Sequence, residues 1–209
     1  MIRDFLLTEQ IGRRERAALS RQENPSAKSV EKAVDKILRR ACESRDSGVR
    51  KDKWLFRFEE EVEEISDAVG RLSVNGQCEK ARDLWRKLYE FAGETMADSY
   101  MPLFLYILYR YANALLDTGE TKEAKERYRE LCDGTERLIG INNSYGIHCL
   151  ERLATAAHRS GDRGEEAGAL EKMRVIAEKE FGHGSAMALF AEKFANRLRI
   201  EDAAKEMGE

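Results

Sequence analysis

The sequence repeats itself with a step of 42 residues, and this period restricts the fold more than any other feature. Seven residues recur in the same order, and with similar character, 42 positions further along. The first set is Leu108, Ala112, Leu115, Gly119, Tyr128, Leu131 and Gly140, and the second is Leu150, Ala154, Ala157, Gly161, Leu170, Met173 and Gly182. A step of 43 carries most of the pattern back to Ile65, Val69, Leu72, Gly76, Ala81, Trp85 and Leu88. Such a near-constant step is typical of stacked helix pairs, because one pair cannot bury its apolar face alone.

Apolar residues three and four positions apart predict about nine helices, and no segment predicts a strand. The expected ranges are 1–21, 26–45, 53–73, 77–97, 101–117, 121–139, 144–159, 164–181 and 185–207. The helix over 101–117 is apolar nearly all round, so we expect it to be buried on most sides. The last helix has no partner after it and is expected to cap the array.

The chain divides into a basic segment over 1–52 and a repeat domain over 53–209. The repeat domain contains three helix pairs (53–97, 99–140 and 144–182) and a C-terminal capping helix (185–207). Residues 1–53 contain 14 Lys and Arg against 9 Asp and Glu, whereas residues 54–98 contain 6 against 11. The basic segment therefore either folds back on the acidic first pair as a cap or occluding segment, or extends the array through Val30, Val34 and Ile37.

Composition and motifs exclude several classes of function. The net charge of −3 argues against nucleic acid as a partner, and no apolar run is long enough for a signal peptide or a membrane span. The four cysteines lack metal-ligand spacing, which favours free thiols in a reducing, cytoplasmic compartment. His148 and His158 lie ten residues apart without an evident third ligand, so no metal and no cofactor is predicted.

Only one pair of residues suggests catalysis. Cys149 follows His148, but neighbouring residues on a helix point about 100° apart and are poorly placed to form a nucleophile–base dyad. The sequence also lacks HExxH, GxSxG and a Gly-rich phosphate loop. We therefore expect a protein that is not an enzyme.

The repeat resembles the tetratricopeptide repeat, in the 42-residue variant of kinesin light chains. That family has a small residue in the middle of the first helix, a turn glycine, and a small residue followed by an aromatic residue in the second helix. These positions are matched by Ala112, Gly119, Ala124 and Tyr128, and in the first pair by Val69, Gly76, Ala81 and Trp85. The resemblance covers roughly 54–200 and implies a right-handed α-solenoid of antiparallel helix pairs. In the third pair, Gly164 predicts a turn that is one residue longer, which places the small residue Ala167 out of step.

The resemblance also implies where a ligand binds, because in that family the first helices line a concave groove. The corresponding residues are Tyr106, Tyr109, Arg110, Asn113, His148, Arg152, Thr155, His158, Arg159, Lys193, Asn196 and Arg199. Guanidinium and amide groups beside tyrosine rings suit an extended acidic peptide segment of another protein. This predicts a non-enzymatic scaffold or adaptor.

Three alternatives remain open at the sequence level. These residues are also explained as solvated surface charges beside buried tyrosines. A regulatory protein would use the repeats as a peptide sensor and residues 1–52 as an effector, including a nucleic-acid-binding one. Terminal helices also allow a homo-oligomer, and Leu189, Phe190 and Phe194 are candidates for apolar residues in excess of one chain's core.

Overall fold

The computed structural model describes residues 26–96 and 100–206, and every regular element in these ranges is a helix. In chain order they are α1 (Ala27–Asp46), α2 (Lys51–Val74), α3 (Cys78–Met96), α4 (Met101–Asp117), α5 (Thr121–Ile139), α6 (Ser144–Ser160), α7 (Arg163–Phe181) and α8 (Ala186–Glu206). Each lies within two residues of its predicted bounds. The all-α prediction is confirmed for the described residues, and the predicted helix over 1–21 lies outside them.

Local signals in the sequence set the helix ends. The Ser26 side chain accepts a hydrogen bond from the amide of Ser29 (3.2 Å) at the start of α1. The Asn143 side chain likewise accepts from the amide of Gly146 (2.9 Å) at the start of α6. Such caps satisfy amide donors that have no partner within the helix. Gly161 ends α6 with φ of +77°, a conformation that glycine adopts without steric cost.

The described residues form two compact units, which meet in sequence at Thr118 and Gly119. The first unit contains α1 to α4, and α4 buries ten of its 17 residues, as its all-round apolar pattern predicts. Its largest buried side chains come from α2, α3 and α4: Phe58, Leu72, Leu88, Met96, Leu103, Ile107, Leu108, Tyr111 and Leu115.

Helix α1 packs on α2 and α3 through its apolar stripe. Val30, Val34 and Ile37 are each at most 7% exposed. Ion pairs flank this stripe, and α1 supplies a cation to one and an anion to the other. Arg40 of α1 pairs with Glu61 of α2 (2.9 Å), and Asp35 of α1 pairs with Lys87 of α3 (2.9 Å). Apolar packing therefore positions α1, while the role of 1–52 as a whole stays a prediction.

The second unit contains α5 to α8, and its third helix pair corrects one sequence prediction. Helices α5 and α7 begin at Thr121 and Arg163, which are 42 residues apart, so the turn before α7 is not lengthened by Gly164. The position that corresponds to buried Ala124 is taken by Glu166, which is 7% exposed, while Ala167 is exposed. The repeat keeps its register here and changes the residue at the small position.

Helix α8 corrects a second expectation. Phe194 is 4% exposed and packs in the core, whereas Leu189 and Phe190 are 45% and 40% exposed. Of the three apolar residues expected to lie outside the core, only Leu189 and Phe190 do so.

Candidate functional site

In the first unit, the predicted binding residue Arg110 lies on an aromatic platform. One helical turn separates Arg110 from Tyr106 on α4, so the two side chains share a face. The guanidinium carbon of Arg110 lies 5.5 Å from the ring centroid of Tyr106 and 5.6 Å from that of Trp85 on α3. The two rings meet edge to face at 84°, with centroids 6.4 Å apart. Cation–π contact with both rings restricts the position of the guanidinium.

A buried serine on α2 completes this arrangement. Ser66 is 2% exposed, and its hydroxyl lies 2.6 Å from the hydroxyl of Tyr106. Arg110 donates to the same oxygen through Nε (3.1 Å) and through Nη2. Arg110 makes no ion pair with any residue of 26–96 or 100–206. Its charge is therefore oriented by neutral groups and is not neutralised by a carboxylate of the described chain.

The neighbouring predicted residues on α4 are half-buried. Tyr109 and Asn113 lie one turn apart, and the amide of Asn113 donates to the backbone carbonyl of Tyr109 (3.0 Å). This bond fixes the amide against its own helix. Tyr106, Tyr109, Arg110 and Asn113 thus form a partly exposed surface on α4, which we call the Arg110 surface.

In the second unit, α6 carries three half-buried predicted residues. His148 Nδ1 lies 3.0 Å from a carboxylate oxygen of Glu151. Burial acts to raise the pKa of Glu151, but the hydrogen bond from His148 and the charge of Arg152 outweigh it, so this pKa lies below its usual value. Thr155 donates to the backbone carbonyl of Glu151 (2.9 Å). These groups form a local polar network on one side of α6.

The structure places His158 in the interior instead. Its side chain is 1% exposed, and its Nδ1 lies 3.3 Å from Glu166 of α7. Arg163 contacts both groups, at 3.2 Å from His158 Nδ1 and 2.9 Å from Glu166. His158 Nε2 lies 3.5 Å from Glu201 of α8. His158 therefore connects three helices through a charged cluster, which supports a structural role.

The remaining predicted residues, Arg159, Lys193, Asn196 and Arg199, are exposed. Asn196 and Arg199 line a cleft of about 670 Å³ between α7 and α8, together with Arg163 and Glu166. Arg159 and Lys193 do not line it. The second unit therefore distributes its predicted residues over the side of α6, the interior and this cleft.

Sequence reasoning missed Ser66, Trp85 and Glu166 as partners of the predicted residues. Trp85 was expected only as a repeat position, and the convergence of Ser66 and Trp85 on Arg110 depends on helix packing. Glu166 carried a readable signal, since a carboxylate stands where the repeat requires a small residue.

The thiol that sequence analysis considered for catalysis is in an inert setting. Cys149 is 1% exposed, and burial raises the pKa of its thiol to about 11. The thiolate is the nucleophilic form, so this environment suppresses reactivity. Burial also raises the pKa of Cys132. Within the described ranges, no three His, Cys, Asp or Glu residues are grouped to hold a metal ion, and no helix could span a membrane.

Comparisons with known proteins identify the fold. No family model and no curated protein sequence matches the chain. Among solved structures, BtubC (BKLC) from P. vanneervenii matches with a TM-score of 0.57 and 16% identity, over 83% of this chain and 66% of that protein. A putative kinesin light chain from Podosopora anserina with nearly identical TPR-like repeats matches with a TM-score of 0.59 and 18% identity. This match covers 85% of this chain and 81% of that protein. A single-substitution variant of the Podosopora anserina protein matches with a TM-score of 0.61 and 17% identity, over 96% of this chain and 90% of that protein. The chain has a TPR-like fold of the kinesin-light-chain type.

Proposed function

We propose that this chain is a non-enzymatic scaffold that binds an extended, acidic peptide segment of a partner protein, with the Arg110 surface as a principal contact. The TPR-like fold supports a scaffold, because stacked helix pairs create extended concave surfaces for binding. The single observation that carries the acidic preference is the setting of Arg110.

Preorganisation is the physical reason for choosing Arg110. Its guanidinium already rests on Trp85 and Tyr106, and Ser66 already binds two of its nitrogens. An incoming carboxylate therefore meets an oriented cation, and little side-chain entropy is lost on binding. Hydrogen bonds between charged groups contribute about 1.5 to 3 kcal/mol, which corresponds to roughly 10- to 150-fold in affinity.

The rest of the surface suits an extended peptide. The rings of Tyr106 and Tyr109 supply flat apolar contact, and the Asn113 amide beside them is held in a fixed orientation by its bond to Tyr109. In the second unit, Arg152 and Thr155 on α6 are the corresponding candidates.

The experiment begins with a pull-down from the native cell lysate, followed by cross-linking to map the bound segment of the captured partner. Labelled peptides of that segment are then titrated against the wild type, Arg110→Ala and Arg174→Ala. Arg174 is the control, because it is an arginine of the other unit, on α7, whose guanidinium pairs with Glu171 and Glu178. We expect Arg110→Ala to weaken binding by about 10- to 100-fold and Arg174→Ala to leave it unchanged.

Two further comparisons test whether a loss of affinity in Arg110→Ala comes from the lost charge. Replacing the peptide's carboxylates by amides should remove the effect of Arg110→Ala, since the lost partner is the charge. Arg110→Lys keeps the charge without the forked geometry and should be intermediate. Equal binding by all variants, or an amide peptide that binds as well as the acidic one, contradicts the proposal. The alternative of an effector in residues 1–52 depends in part on residues 1–25, which lie outside the described ranges, and stays a prediction.

A further inference from the structure

Helix α8 exposes two aliphatic side chains, Leu189 and Ile200, on one face. Leu189, Lys193, Asn196 and Ile200 are spaced so that they share one face of the helix. Leu189 is 45% exposed and Ile200 is 69% exposed. No described helix follows α8 to cover this face. Two aliphatic side chains three turns apart are thus left in contact with solvent.

The same helix carries two opposite charges beside this face. Glu192 and Arg199 are seven residues apart, which is two helical turns, so they project from the same flank. Both are exposed, and neither forms an ion pair with any described side chain. Each is too far along the helix from the other to pair within one molecule, because two turns span about 10 Å.

The flank that carries these charges opens onto the α7–α8 cleft. Glu192 and Arg199 line this cleft of about 670 Å³, and Leu170, Leu189 and Ala195 supply apolar surface within it. The cleft therefore offers room beside α8 for side chains that come from outside the chain.

We propose that α8 is the interface of a two-fold symmetric dimer, in which α8 of a second copy lies antiparallel along α8 and over the α7–α8 cleft. Complementary charge is the reason for choosing a second copy. The midpoint of Glu192 and Arg199 and the midpoint of Leu189 and Ile200 both fall next to Ala195. A two-fold axis at Ala195 places Glu192 beside Arg199 of the second copy and Leu189 beside its Ile200.

This arrangement forms each contact twice, as an isologous interface requires. Lys193 and Asn196 lie between Leu189 and Ile200 on this face, so each Lys193 lies across from Asn196 of the second copy. The aliphatic contacts supply most of the affinity, while the two ion pairs fix the antiparallel direction. An interface built from one helix of each copy is small, so we expect a dimer in the micromolar range that dissociates on dilution.

The test exchanges the two charges. Sedimentation velocity is measured from about 1 to 100 µM for the wild type, Glu192→Lys, Arg199→Glu and the double variant. Each single variant places like charges together at both ends of the interface and should raise the dimer Kd at least about tenfold. The double variant exchanges both charges and should dimerise like the wild type. A mixture of the two single variants should form a 1:1 heterodimer, because Glu192→Lys in one copy then faces Arg199→Glu in the other at one end.

Every outcome bears on the proposal. A wild type that stays monomeric at about 100 µM overturns it, and so does a mixture of single variants that stays monomeric. Dimers that persist in both single variants show that another surface is used. All variants change exposed residues, and equal melting midpoints will confirm that they fold. Arg110→Ala should dimerise normally, so failure of the peptide-binding proposal is distinguishable from failure of this one.

Discussion

The imidazole of His158 lies 3.3 Å from the carboxylate of Glu166 in the interior of the second unit. The residues 42 positions earlier are Leu116 and Ala124, so an imidazole and a carboxylate stand where the repeat has an apolar residue and a small one. A buried pair of this kind contributes little net stability, because desolvation offsets the attraction between its members. Removal of one member still costs stability, since the other stays buried with fewer partners: Glu166 keeps Arg163 (2.9 Å), and His158 keeps Glu201 (3.5 Å).

The first prediction follows from that asymmetry. His158→Leu and Glu166→Ala should each lower the free energy of unfolding by about 1 to 3 kcal/mol, because each leaves buried polar atoms without one of their partners. The combined variant restores the residues found one repeat earlier and should recover most of the loss. Chemical denaturation of the four proteins gives the coupling energy directly. Additive losses would mean that the two side chains do not act as a pair.

The second prediction concerns a glycine that the repeat period does not mark. A Cβ atom on Gly146 would lie 1.9 Å from the carbonyl oxygen of Ile141, so the loop before α6 must move to accommodate alanine. We expect Gly146→Ala to cost about 1 to 3 kcal/mol despite the higher helix propensity of alanine.

Gly168 is the control for this measurement. It lies within α7, and an added Cβ there meets no atom within 4 Å. Gly168→Ala should therefore stabilise the protein by about 0.5 to 1 kcal/mol, the ordinary gain within a helix. A loss at Gly168 as large as that at Gly146 would assign both effects to the backbone and not to Ile141.

The third prediction tests the register of the repeats. Trp85 and Tyr128 occupy equivalent positions in successive units, and they are 3% and 0% exposed. Replacing either by alanine leaves a cavity, and we expect a loss of about 3 to 5 kcal/mol in each case. Tyr109→Ala is a useful comparison because Tyr109 is half-buried, and it should cost less. Unchanged melting midpoints for Trp85→Ala and Tyr128→Ala would show that the register is wrong.

The repeat residues also show how much of the fold and of the candidate site the sequence predicts. Ala112, Gly119 and Tyr128 recur at a fixed step, and their spacing alone predicts helix bounds, turns and fold, because it records which faces must be buried. The environment of a side chain such as Arg110 depends on residues 25 and 44 positions away, so periodicity cannot supply it. His158 was assigned to a groove by its position, but the carboxylate at 166 allowed it to be buried. The close contact at Gly146, which the repeat period does not mark, depends on the path of the loop that contains Ile141.

The last prediction concerns stability at high pH. Tyr100 donates a hydrogen bond to Glu59 (2.5 Å), and burial together with this carboxylate raises the pKa of Tyr100 to about 12 from an ordinary 10.0. The folded state therefore keeps its proton where the unfolded state loses it. The resulting stabilisation is fully present below pH 10 and is lost as the pH rises from 10 towards 12.

Tyr100→Phe removes both the hydrogen bond and the titrating group. At neutral pH this variant should be less stable than the wild type, because Glu59, which is 9% exposed, loses a donor. Above pH 10 the difference should shrink, since ionisation of Tyr100 stabilises the unfolded state of the wild type alone. Urea denaturation of both proteins across this range measures the difference at each pH. A difference that stays constant, or that grows with pH, would contradict the raised pKa of Tyr100.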